Sequence, residues 1–206
     1  TKNQELTGEA KRQRAIITIL GSNVNPAERT RTGISQKIAK KQGITWKNIY
    51  SGIFRDLDEI LLPMGIAEEN GRLPLKRGPK ALQEKGIPYY HLTKKGVLVK
   101  LSINGIENMS SEFRKFFAES EPKEKEFANI LSKFMTNSPT FTYSIFQKYV
   151  KAFCEDKIKE LLPFDLSKLQ DIPDENLIIQ KEIVLAFEKL SSKEKKEAIV
   201  FLEKIT

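Results

Sequence analysis

Apolar positions recur at helical spacing from the start of the chain. Ala15, Ile16, Ile19 and Leu20 share a face and predict a first helix from 9 to about 21. Positions 23–32 hold Pro26 and alternating Arg and Thr, and read as a loop with room for one helical turn. Ile34, Ile38 and Ala39 face inward on a short helix over 35–42, which Gly43 closes. Thr45 is the N-cap candidate of the next helix, its hydroxyl placed to accept an orphan backbone N–H. That helix is predicted over 46–62, where Ile49, Ile53, Leu57 and Leu61 repeat every four residues, with Ile60 beside them, before Pro63 and Gly65.

The period then changes. Positions 66–69 read as a short strand, Asn70-Gly71 as a turn, and 87–92 as a second β-prone run. Between them 72–86 is an extended basic excursion carrying Arg72, Lys76, Arg77, Lys80 and Lys85 among Pro74, Gly78 and Pro79. Helix signals resume at Thr93, and Asn104-Gly105 marks the end of a first module, 9–105. The second module, 106–206, is helical throughout. Ser110 or Ser111 is the cap of a helix carrying Phe113, Phe116 and Phe117, with Pro122 as a break. Further helices are predicted over 123–135, over 140–162 (the clearest amphipathic run, ended by Pro163), from 174 or 175, and over 193–205. The last opens with the capping box Ser191-x-x-Glu194. The fold class expected is mainly α with a small β-hairpin.

Composition removes several function classes. The longest run free of charged or strongly polar groups is 60–67, against the ~20 apolar residues that span a bilayer. One cysteine and one histidine exclude an internal disulfide and a Cys/His zinc site, so neither metal nor cofactor is expected. Lys11, Arg12 and Arg14 precede an apolar stretch too short for a signal sequence and without an Ala-x-Ala site, so a reducing cytoplasm is the expected compartment. The phosphate-binding, dinucleotide-binding and His-Glu-x-x-His motifs are missing, and an enzyme is not expected. The acidic sets Asp56/Asp58/Glu59 and Glu155/Asp156 lie on helices already explained by amphipathicity.

Charge adds a positive signal. Residues 1–105 carry 19 Lys/Arg against 9 Asp/Glu, while 106–206 carry 16 against 18. A field concentrated on one module attracts polyanions.

Helix, short helix, four-residue turn, longer helix and basic-tipped hairpin is the order of a winged helix-turn-helix. A helix about 10–12 Å across fits a major groove about 12 Å wide. The stretch 34–57 (Ile-Ser-Gln-Lys-Ile-Ala-Lys-Lys-Gln-Gly-Ile-Thr-Trp-Lys-Asn-Ile-Tyr-Ser-Gly-Ile-Phe-Arg-Asp-Leu) resembles the helix-turn-helix of prokaryotic winged-helix regulators. Leu-Leu-Pro-Met-Gly-Ile at 61–66 resembles their exit into the wing. Tyr90-His91-Leu92-Thr93-Lys94-Lys95-Gly96 resembles the Tyr-x-Leu-Thr-x-x-Gly passage of MarR-like and PadR-like proteins. The likeness covers about 10–105; the wing departs from it, being longer and interrupted by Gly78-Pro79 and Ala81-Leu82.

This resemblance implies sequence-specific binding of double-stranded DNA by a transcriptional regulator. Its recognition helix presents Lys47, Asn48, Tyr50, Ser51 and Arg55, with Thr45 at its start. Ser35 and Gln36 offer phosphate contacts at the bracing helix, and Arg72, Lys76, Arg77, Lys80 and Lys85 offer them from the wing. The helical module is read as a homodimerisation or partner-binding domain, its phenylalanines serving either a core or an interface. The alternatives are a winged-helix adaptor that contacts protein through Trp46 and Tyr50, and an architectural binder indifferent to sequence. For Lys47 and Arg55 the plain alternative is a solvated helix face, and for the wing cations a loop without a partner. His91 reads as a structural strand residue and Cys154 as a small buried one.

Overall fold

A computed structural model describes residues 7–22, 25–74, 86–103, 109–118, 120–122 and 124–205. Among them the chain is mainly helical, with one two-stranded antiparallel hairpin. It divides into two compact units, Thr1–Asp165 and Leu166–Thr206. The sequence predicts a boundary after 105. Residues 104–108 lie outside the described ones, and the helix Lys94–Leu101 packs against the helices Met109–Ala118 and Pro139–Cys154 across that point, so the first unit runs on to Asp165.

Helix α1 (Gly8–Ser22) buries Ile16, Ile17, Ile19 and Leu20, more of its circumference than one amphipathic stripe, because it meets the helices Arg31–Gln42, Lys47–Arg55 and Lys94–Leu101 and the strand Ile87–Leu92. A 3₁₀ turn, Pro26–Arg29, follows, and α2 (Arg31–Gln42) begins four residues earlier than its apolar pattern suggests. The cause is Thr30, whose Oγ1 accepts the Gly33 N–H at 3.0 Å and caps the helix. Helix α3 (Lys47–Arg55) passes into a π-wound stretch, Asp56–Leu61, in which the Leu62 N–H reaches the Leu57 carbonyl five residues back at 2.9 Å.

Strand β1 (Ala67–Leu73) pairs with β2 (Ile87–Leu92), Ala67 opposite Leu92 and Leu73 opposite Ile87. Asn70-Gly71 is not the expected turn: it lies inside β1, where the register slips between Glu69 and Gly71. Gly71, at φ +150°, supplies the backbone freedom for this bulge, and a Cβ there would lie 2.9 Å from the Tyr89 hydroxyl. Thr30 adds an isolated antiparallel bridge to Tyr89, a rudimentary third strand. The core beneath comprises Ile16, Leu20, Ile34, Ile38, Ile53, Leu57, Leu61, Ile66, Tyr90 and Leu92.

Helix α4 (Lys94–Leu101) is capped by Thr93, whose hydroxyl accepts from the Gly96 N–H at 3.0 Å and donates to the Gly65 carbonyl at 2.6 Å. Helices α5 (Met109–Ala118), α6 (Ala128–Asn137) and α7 (Pro139–Cys154) complete the first unit. Ser110 and Ser111 sit inside α5 rather than capping it. Phe113, Phe116, Phe117, Phe146 and Tyr149 close around Phe164, their rings 4.9–5.8 Å from its centroid where they touch it. These aromatics form core, whereas Phe127 and Phe134 remain exposed. Buried Lys100 of α4 meets Glu112 of α5 at 3.1 Å, and burial pushes its ammonium below the ordinary 10.5 against the pull of that carboxylate.

Helix α7 stops eight residues short of the amphipathic run. Asp156 takes φ +56°, and the Lys157 and Ile158 N–H groups both turn back to the Ala152 carbonyl. Ile158 and Leu161 are nevertheless buried, outside any helix. Cys154, expected inside, is exposed because it falls on this last turn. In the second unit, α8 (Glu175–Lys189) is capped by Asp174 and α9 (Ser192–Ile205) by the predicted box. There the Ser191 N–H donates to Glu194 Oε2 at 2.8 Å, and the Glu194 N–H to Ser191 Oγ at 3.4 Å.

Candidate nucleic-acid interface

Helix α3 has a dry underside and a polar outer face. Ile53 and Leu57 are fully buried and Ile49 half-buried, while Lys47, Asn48, Ser51, Phe54 and Arg55 stand exposed on the opposite arc. Four of the sequence-predicted contact residues are thus brought together. Tyr50 belongs to the flank instead: it is half-buried and packs edge-on against Trp46 at 5.7 Å. Thr45 is exposed but is not a side-chain cap; its carbonyl accepts the Asn48 N–H at 3.0 Å, and no side chain caps α3.

The early start of α2 displaces another assignment. Ser35 is in the second turn, fully buried, its hydroxyl donating to the Arg31 carbonyl at 2.8 Å, so it is not placed to meet phosphate. Gln36 beside it is exposed. On β1, Arg72 grips Glu69 through two bonds, Nε–Oε1 at 2.6 Å and Nη2–Oε2 at 3.0 Å, both side chains being well exposed. Lys76, Arg77, Lys80 and Lys85 lie outside the described residues.

Two of the three acidic residues following α3 are neutralised from within, while Glu59 is exposed. Asp56, fully buried, receives Arg12 of α1 through Nε and Nη2. Asp58 receives Arg31 of α2, with Nε–Oδ2 at 2.8 Å. Each hydrogen bond raises its guanidinium above the ordinary arginine value. Arg31 also lies 5.1 Å over the Phe54 ring and 5.2 Å over that of Tyr90, whose hydroxyl burial pushes up to about 12. Arg55 approaches Glu9 of α1 at 3.7 Å; both are exposed, and such a contact is worth little. The outer face therefore keeps its cations while Asp56 and Asp58 are occupied.

Sequence patterning does not pick out Arg12, Arg31 or Phe54. A signal exists for Arg12: Asp56 falls between Ile53 and Leu57 on the inward arc, where a carboxylate requires a cation. His91 sits across the hairpin from Glu68, Nε2–Oε1 3.1 Å. Among the described residues no cluster of three or more His, Cys, Asp or Glu could hold a metal ion, and no helix is long and apolar enough to cross a membrane. No protein-family profile matches the chain, and neither does any curated protein or solved structure.

Proposed function

We propose that this protein binds double-stranded DNA as a winged helix, α3 entering the major groove and the β1–β2 hairpin acting as the wing, and that it regulates transcription. The observation that carries the reading is the outer face of α3. It groups Lys47, Asn48, Ser51 and Arg55 over a buried apolar underside, while Asp56 and Asp58 are turned to Arg12 and Arg31. Asn48 and Ser51 are short hydrogen-bonding groups suited to base edges, and Lys47 and Arg55 suit guanine or phosphate. The order of elements supports it, including the Thr30–Tyr89 bridge that joins the segment before α2 to the hairpin.

Selection of bound fragments from a random duplex pool tests the reading. A preferred duplex is expected to emerge. Replacing Lys47, Asn48 and Ser51 together by alanine should cost at least about 100-fold in affinity for it, since each base contact is worth about 1–3 kcal/mol, with much less lost on bulk DNA. Arg77→Ala with Lys80→Ala should weaken binding to every sequence and flatten its salt dependence by about one log–log unit for each phosphate no longer neutralised. An unchanged salt slope would remove the wing from the interface. Phe54, 45% exposed in the middle of the same face, favours the second reading, a winged helix that contacts protein. In that case no duplex outcompetes bulk DNA and the triple variant binds DNA as the wild type does.

A further inference from the structure

Phe54 is the one large apolar side chain that α3 leaves exposed. A protein contact is one use for such a ring, but its surroundings fit another better. On the same line of the helix, Ser51 three residues before it and Lys47 seven before it are both exposed and polar. Tyr50, four before it, is half-buried and packed against Trp46. A helix that docks in an apolar groove of another protein repeats its anchors every three or four residues. Helix α3 offers a single anchor. Ile44, Met64 and Ile87, the other large apolar side chains exposed among the described residues up to 103, all lie outside it.

The ring is also braced. Arg31 stands 5.1 Å over its centroid, close enough for the cation to be attracted by the ring face. That guanidinium is fixed in turn by Asp58, to which Nε donates at 2.8 Å and Nη2 donates as well, and it lies 5.2 Å over the Tyr90 ring. Phe54 still keeps 45% of its surface open. A lone apolar group among hydrogen-bonding side chains matches a surface that is polar with one apolar feature. The floor of the major groove is such a surface: every base edge there offers donors or acceptors, and thymine alone adds a methyl group.

We infer that Phe54 is a specificity-determining residue that reads the C5-methyl group of a thymine. The role rests on α3 being the recognition helix of the proposed function. Helical rise also places the base. Phe54 lies about 4.5 Å along the axis from Ser51, against about 3.4 Å for one nucleotide step, so the thymine belongs about one step from the base pair that Ser51 contacts.

Titration of the full chain with the selected duplex tests this, deoxyuridine replacing thymine at one position at a time. The exchange removes the methyl group and leaves base pairing as it was. At one thymine the wild type should lose about fourfold in affinity, the worth of one buried methyl group. Phe54→Ala should bind the parent duplex at least about fourfold more weakly and lose nothing further with uracil at that position. Phe54→Leu, which restores an apolar contact, should show the loss again. Wild-type affinity that no uracil substitution changes overturns the role of Phe54, while the preferred duplex leaves the DNA reading standing. A methyl penalty that persists in Phe54→Ala does the same. If no preferred duplex emerges, the DNA reading falls and this role falls with it.

Discussion

Gly96→Ala is expected to lower the melting temperature by roughly 10 °C, the shift that a loss of about 3 kcal/mol produces in a chain of this size. A Cβ at Gly96 would stand 1.9 Å from the Ile66 carbonyl oxygen and 3.0 Å from its carbon. Both belong to the backbone just before β1, so nothing flexible can give way. To admit a methyl group α4 must back off, and with it would go the two bonds that tie Thr93 to the 65–66 segment, from its hydroxyl to the Gly65 carbonyl at 2.6 Å and from its N–H to the Ile66 carbonyl at 3.1 Å. Gly8→Ala is the matched control: nothing lies within 4 Å of a Cβ there. If thermal unfolding of the two variants coincided, the close packing of α4 against 65–66 would be refuted.

Glu124→Gln should cost a similar amount, about 2–3 kcal/mol, as expected when a buried carboxylate loses its charge-assisted hydrogen bonds. The Glu124 carboxylate is 2% exposed and accepts from Lys94 Nζ at 2.5 Å, from the Phe164 N–H at 2.8 Å and from the Glu121 N–H at 2.9 Å. It thereby joins the first turn of α4 to the chain after α7. Burial raises its pKa, but these three donors outweigh burial and hold it below the usual 4.5. A carboxylate depressed in the folded state adds stability that is complete above its unfolded pKa. That stability is lost as pH falls below about 4.5 and through the lower folded value. The wild type should therefore lose stability in acid more steeply than Glu124→Gln. Equal slopes for the two proteins below pH 4.5 in urea titrations would exclude this role.

The sequence carries more of the fold than of the interface. Apolar spacing locates α2, α3, α5 and α7, since each buries one arc of its circumference. The ends are harder, because they depend on single bonds: Thr30 starts α2 early, and Asp156 stops α7 before its apolar pattern does. The repeat of four through Ile49, Ile53, Leu57 and Leu61 holds a further message. A period of four overshoots 3.6, and keeping all four residues inward requires the wider winding found from Asp56 to Leu61. At the interface, exposure on α3 follows from the same periodicity, whereas Ser35 is misplaced with the start of α2. The pairs Arg12–Asp56 and Arg31–Asp58 join residues 44 and 27 positions apart, a distance no local pattern spans.

If α3 reads DNA as proposed, the change of winding after Arg55 limits how much of a groove it can follow. Over the nine residues Lys47–Arg55 the outer arc keeps one direction for about 13 Å; beyond it the wider turns rotate the side chains away. At 3.4 Å per nucleotide step that length matches about four base pairs. So short a word recurs throughout any genome. On the proposed reading, selectivity must come from a second reading head at a fixed spacing, and the preferred target should contain the short word twice.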